Sequence, residues 1–220
     1  MNKPKIFIAC DTNNLTRIKK IINQTQSSKI KIGYKFGLEF MNSRNGRKFI
    51  SKLKNKIIFV DLKLNDTVNT MISTVKALKD IKINYLTVHI SSGFAALKAV
   101  KKISGQTKII GVTTLTSLNN KDLKLIGYNK SVKSLVTHQA KLAKKANLDA
   151  LVCSPYEVRA VRKIFKKEII TPGVQMGKRN YDQKRSMEVK KVKSDWLVIG
   201  RAITKGNIKK NIQNLYNELR

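Results

Sequence analysis

The sequence predicts an α/β chain folded as a (β/α)8 TIM barrel, one domain over residues 1–220. Three observations predict it. Eight short apolar runs recur along the chain, bounded by polar turns. Segments with helical spacing lie between them, and such alternation means parallel strands covered by helices. The length of 220 residues suits eight strand–helix units at the small end of barrel size and is short for two separate cores. An open doubly wound sheet would also alternate in this way, but no G-x-G-x-x-G follows the first run.

The elements follow in order. KIFIAC (5–10) is a buried strand, and NLTRIKKIINQT after it has helical spacing. IKIG (30–33) is the second strand, and the segment after position 34 has no clear pattern. KIIFVD (56–61) leads into DTVNTMISTVKALKDI, and YLTVHI (85–90) into GFAALKAVKKI. KIIGVT (108–113) is followed, after a polar stretch, by VKSLVTHQAKLAKKA. DALVC (149–153) precedes PYEVRAVRKIF, and EIITPG (168–173) precedes a long polar loop and the unclear QKRSMEVKKV. DWLVIG (195–200) is the eighth strand and AITKGNIKKNIQNLYNEL its helix. No linker or low-complexity stretch divides the chain.

Composition narrows the function classes. No apolar run is long enough to span a bilayer, and MNKPKIFIAC lacks a signal-peptide core followed by a small-residue cleavage site, so a cytoplasmic protein is expected. Cys10 and Cys153 lie in apolar runs and read as buried small hydrophobes. The net charge of +33 raises nucleic-acid binding. Its lysines are spread over the whole chain, however, with no basic tail and no nucleic-acid-binding signature. No specific nucleic-acid partner and no membrane are expected.

Barrel enzymes carry their chemistry at the C-terminal ends of the strands. Read in order, those ends hold Cys10-Asp11, Lys31 before Gly33, Asp61 with Lys63 and Asp66, His89, the stretch TTLTS, Thr171-Pro172-Gly173 and Gly200-Arg201. Alternation puts Asp61 and Lys63 on one face, and Lys31 from the neighbouring strand can pair with Asp61. A Lys-Asp-Lys-Asp network of this kind keeps a lysine charged and fixed. Each residue has a structural alternative: Asp66 as a helix N-cap, Asp61–Lys63 as a strand-end pair, Asp11 as a cap for the helix near Asn14. Gly200 lets backbone N–H groups approach a ligand, and Arg201 can fork onto a phosphate beside a helix N-terminus. The polar segment 171–183 is long enough for a lid. His89 titrates in the right range for acid–base work but fits a supporting role equally well. No side-chain cluster has metal-ligand spacing, and no Ser-His-Asp arrangement stands out.

DLKLNDTVNT (61–70) resembles the D-x-K-x-x-D signature of the orotidine 5′-phosphate decarboxylase family. IACD, KIG, TVHISSG, VTTLTS, VCSP, TPGV, YDQKR and IGRAIT resemble that family's further motifs, in its order and near its spacing. The resemblance implies a small barrel, a homodimer, no cofactor and no metal, and decarboxylation of orotidine monophosphate to UMP in pyrimidine biosynthesis. It implies Lys63 as the proton donor to pyrimidine C6, with Lys31, Asp61 and Asp66 completing the network and Asp66 entering the partner's site. Asp11, Lys31 and Thr70 would bind the ribose, Thr116 the pyrimidine edge, and Gln183, Gly200 and Arg201 the phosphate. Thr67, Pro172 and Gln175 would complete the substrate contacts. Two positions depart from the family's pattern: Thr67-Val68 replaces its usual Ile-Pro, and Gln175 replaces an Arg common in bacterial members. The lid is slightly short, and Lys178 or Arg179 is placed to supply the missing charge. Related barrels that share D-x-K-x-x-D act on sugar phosphates with magnesium. A magnesium-dependent decarboxylase or synthase of that kind is the alternative reading, and a basic nucleic-acid-binding barrel the more distant one.

Overall fold

The computed structural model describes residues 5–27, 29–176 and 187–219. Its strands are β1 (Lys5–Ala9), β2 (Ile32–Gly37), β3 (Ile57–Leu64), β4 (Tyr85–His89), β5 (Lys108–Val112), β6 (Ala150–Val152), β7 (Glu168–Thr171), β8 (Val174–Gln175), β9 (Met187–Glu188) and β10 (Trp196–Ile199). Eight of them close a parallel barrel in the order β1-β10-β7-β6-β5-β4-β3-β2. The remaining pair, β8 and β9, forms a small parallel ribbon that the sequence pattern did not announce. The helices are α1 (Leu15–Gln24), α2 (Leu38–Met41), α3 (Gly46–Ser51), α4 (Val68–Ala77), α5 (Phe94–Ile103), α6 (Asn120–Leu125), α7 (Val132–Lys145), α8 (Val158–Ile164), α9 (Arg201–Thr204) and α10 (Ile208–Leu219).

The helices form where apolar residues recur on one face. In α1, Ile18, Ile21 and Ile22 are buried, and Asn14 caps the helix by accepting a hydrogen bond from the Arg17 N–H at 2.9 Å. Asp11 therefore has no part in that cap. The C-terminal segment, expected as one helix, breaks into α9 and α10 at Gly206, whose φ of 66° a side-chain-bearing residue adopts rarely.

Two apolar clusters hold the barrel. One lies between the strands and the helix shell. The other fills the barrel itself and is rich in aromatics: Phe7, Phe59, Tyr85 and Trp196 are all buried. The Phe7 and Trp196 rings stack with centroids 4.0 Å apart, and Phe59 and Tyr85 meet Phe7 edge-on at 5.0 and 5.2 Å. Such pairs add about 0.5–1.5 kcal/mol each to the burial itself. Below them Glu168 accepts hydrogen bonds from the Tyr85 hydroxyl and the Lys108 ammonium, both at 2.9 Å, which closes the N-terminal end.

The second strand departs from the sequence expectation. It runs from Ile32 to Gly37, four residues beyond the predicted end at Gly33. Ile32, Tyr34 and Phe36 face the helix layer, so Gly33, Lys35 and Gly37 face inward. Gly33 is required there: a Cβ would lie 2.6 Å from the Phe7 ring.

Candidate active site

A cavity of about 340 Å³ opens at the C-terminal ends of the strands. Phe59, Val112, Val152 and Val198 give it apolar walls, and Asp11, Lys35, Asp61 and Lys63 give it one charged side. Pro172, Gln175, Gly200 and Arg201 also line it.

The charged side is a continuous chain of ion pairs. The Lys35 ammonium lies 2.9 Å from Asp11 Oδ1 and 3.5 Å from Asp61 Oδ2. The Lys63 ammonium lies 2.9 Å from the same Asp61 Oδ2. Asp61 thus bridges two lysines through one oxygen, and its other oxygen accepts a hydrogen bond from the Thr87 hydroxyl at 2.9 Å.

The β3 backbone is distorted where it carries these groups. Val60 pairs with Leu86 and Leu64 with Val88, so Asp61, Leu62 and Lys63 stand opposite Thr87 alone. Lys63 takes a left-handed φ of 50° within this bulge. A non-glycine residue in that region stores strain of order 1–3 kcal/mol and tends to mark a functional position. The displaced Lys63 N–H donates to Thr87 Oγ1 at 2.9 Å. Asp61 and Lys63 do meet, as the sequence suggests, but through a bulge and not through plain alternation.

Burial decides how the charges behave. Burial would push the Lys35 ammonium down, but Asp61 and Asp11 outweigh it and hold the group above its ordinary value. Burial would likewise raise Asp61, and the pull of Lys35 and Lys63, with the hydrogen bonds from Lys63 and Thr87, brings it below the usual carboxylate value. Both residues are therefore charged throughout the neutral range. His89 is pushed down, by burial first and then by the Lys63 charge, which favours a neutral imidazole. Burial pushes the Cys10 thiol up to about 12, in keeping with its expected role as a core residue.

Of the predicted site residues, the structure gathers Asp11, Asp61, Lys63, Thr116, Pro172, Gln175, Gly200 and Arg201 around this cavity. Lys31 is not among them. It precedes β2 at the closed end of the barrel and is exposed, and its carbonyl accepts from the Ile6 N–H at 2.9 Å. The residue on that strand that pairs with Asp61 is Lys35, which sequence reasoning missed because the strand was ended too early. The alternation of Ile32, Tyr34 and Phe36 with Gly33, Lys35 and Gly37 was the available signal. Thr87 was also missed as a site residue, though it occupies the inward face of β4 between Tyr85 and His89.

Asp66, Thr67 and Thr70 stand outside the cavity, exposed at the start of α4. Thr67 is the N-cap residue, Asp66 Oδ1 accepts from the Thr67 N–H at 2.7 Å, and the Thr67 and Thr70 hydroxyls are 3.0 Å apart. Gln183, Lys178 and Arg179 lie outside the described residues. Among the described residues no group of three or more His, Cys, Asp or Glu side chains is placed to hold a metal ion, and no helix is long and apolar enough to cross a membrane.

The family model for Orotidine 5'-phosphate decarboxylase / HUMPS matches residues 4–212. The chain is 40% identical over 220 residues to orotidine 5'-phosphate decarboxylase of Wolbachia sp. subsp. Brugia malayi (strain TRS), covering 96% of each sequence. It is 41% identical over 212 residues to the enzyme of that name from Wolbachia pipientis subsp. Culex pipiens (strain wPip), covering 92% of each. Among solved structures it resembles the crystal structure of orotidine 5'-phosphate decarboxylase from Lactobacillus acidophilus, with a TM-score of 0.84, 28% identity and full coverage of both chains.

Proposed function

Since the chain belongs to the orotidine 5'-phosphate decarboxylase / HUMPS family, we propose that its cavity decarboxylates orotidine monophosphate through the charge chain Asp11–Lys35–Asp61–Lys63. The protein is a carboxy-lyase of pyrimidine biosynthesis that forms UMP and CO2. The observation that carries the reading is a lysine held at 2.9 Å by a buried carboxylate at the barrel mouth.

The chemistry needs such a group. Breaking the bond between C6 and the carboxylate releases CO2 and leaves its electron pair on C6. An ammonium fixed about 4 Å away stabilises that charge by about 4 kcal/mol at an effective dielectric near 20. Lys63 then gives a proton to C6 and recovers one from solvent. Asp61, itself held by Lys35, fixes Lys63 in place beforehand, so little reorganisation accompanies the reaction. The phosphate, far from C6, is bound by Gly200 and Arg201 with Gln183. Its binding energy acts through closure and exclusion of water. Asp11 and Lys35 take the ribose. Thr67 and Thr70, which stand outside their own cavity beside Asp66, reach the ribose in the other chain's site. Thr116, Pro172 and Gln175 make the remaining substrate contacts.

The working molecule is a homodimer of single-domain barrels in the cytoplasm, with Asp66 of each chain completing the other's site. Its exposure at the start of α4, away from its own cavity, supports that arrangement. No cofactor takes part in the proposed step. The magnesium-dependent alternative gains no support from relatives that carry the decarboxylase name at about 40% identity.

The test is an absorbance assay with orotidine monophosphate, with and without EDTA. Turnover unaffected by the chelator is expected. No turnover, or turnover abolished by EDTA, would reject the reading.

A further inference from the structure

From the bulge in β3 we infer that Thr87 is a positioning residue for the decarboxylation: its hydroxyl fixes both ends of the Asp61–Lys63 pair. The inference rests on the proposed function and names a residue to which that reading gives no role.

Three residues of β3 stand opposite Thr87 alone, so the regular ladder cannot serve them all. Thr87 Oγ1 takes the place of a backbone partner for the Lys63 N–H. The same oxygen gives its one proton to Asp61 Oδ1. A hydroxyl has one proton and can also accept, so it serves both groups at once. Accepting from Lys63 holds that residue in its left-handed conformation. Donating to Asp61 fixes the carboxylate plane and leaves Oδ2 as the oxygen that meets both lysines. Thr87 is fully buried, so no solvent stands ready to replace it. It is not among the residues lining the cavity and acts through Asp61 and Lys63.

Valine matches threonine in shape but offers neither half of this bridge. In Thr87→Val, Asp61 can rotate and Lys63 can relax out of its conformation. The lysine then loses its aim at C6 while the phosphate and ribose contacts remain. A misplacement near 1 Å at a reacting group costs up to about a hundredfold in rate.

The experiment measures kcat, KM and UMP affinity for wild type, Thr87→Val and Thr87→Ser, with thermal unfolding of each. Expected is a kcat about ten- to a hundredfold lower in Thr87→Val, with UMP affinity within about threefold of wild type. Thr87→Ser, which keeps the hydroxyl, should recover most of kcat. If Thr87→Val does not fold, Thr87→Ala makes the same comparison against Thr87→Ser. A kcat near wild type without the hydroxyl, a serine variant no better than valine, or UMP affinity falling in step with kcat would each overturn the inference. A wild-type enzyme that does not turn over orotidine monophosphate would instead overturn the proposed function.

Discussion

At the scale of single residues, the lesson is the four-residue displacement from Lys31 to Lys35. Both are lysines of one segment, and only depth along the strand separates them. Lys35 is paired with Phe59 of β3 and with Ala9 of β1, one layer below the mouth, so its ammonium reaches both Asp11 and Asp61. Lys31 precedes the strand at the opposite end. Lys35→Ala should lower turnover by about 10²–10³-fold, because it removes a preorganised cation and leaves a buried Asp61 with Lys63 as its remaining ammonium partner among the described residues. Lys31→Ala should stay within about twofold of wild type in both turnover and stability, as exposed positions do. Steady-state kinetics on the two variants side by side decides it; equal losses would return Lys31 to the site.

At the scale of elements, β2 and β3 carry most of what the sequence concealed. The barrel class was legible because eight apolar runs alternate with amphipathic segments, and the charged mouth because Asp61 and Lys63 follow such a run. The length of β2 was obscured by Gly33, which looks like a stop. It is there because Phe7 fills the space a side chain would need. Gly33→Ala brings a methyl carbon 2.6 Å from the buried Phe7 ring stacked on Trp196, so something must shift. The variant should lose about 1–3 kcal/mol in urea unfolding, and full stability would show that the ring can move. The bulge in β3 was illegible for a different reason. Register is a relation between two strands, and neither strand alone records that one residue of β4 faces three of β3. The same holds for Thr87, whose importance comes from what stands opposite it.

At the scale of the whole molecule, the proposed dimer makes a sharp prediction. Lys63 belongs to its own barrel, whereas Asp66 is proposed to serve the neighbour. Thr67 and Asp66 lie where α4 begins, and nothing in their local bonding aims them at their own cavity. Lys63→Ala and Asp66→Ala should each be nearly inactive. After subunit exchange, a mixed dimer collects both defects in one site and neither in the other. Random pairing gives about half mixed dimers with one sound site each, so activity should return to roughly a quarter of wild type. Exchange verified by mass spectrometry without recovery would place Asp66 in its own chain's site or in none. The net charge of +33 belongs to this scale too, since a field of that sign favours the approach of anions in general.

The aromatic packing inside the barrel has a consequence for traffic. Phe7 and Trp196, with Phe59 and Tyr85 beside them, cork the lower half, so among the described residues the well opens only at its upper end. In the proposed reaction substrate, gas and product would all share that opening. If Gly200 and Arg201 lodge the phosphate end as proposed, the nucleotide plugs its own exit route while carbon dioxide is released beneath it. The small molecule must slip past the large one or leave after it. The shape of the barrel thus has a say in the order of departure, before affinity for either product is considered.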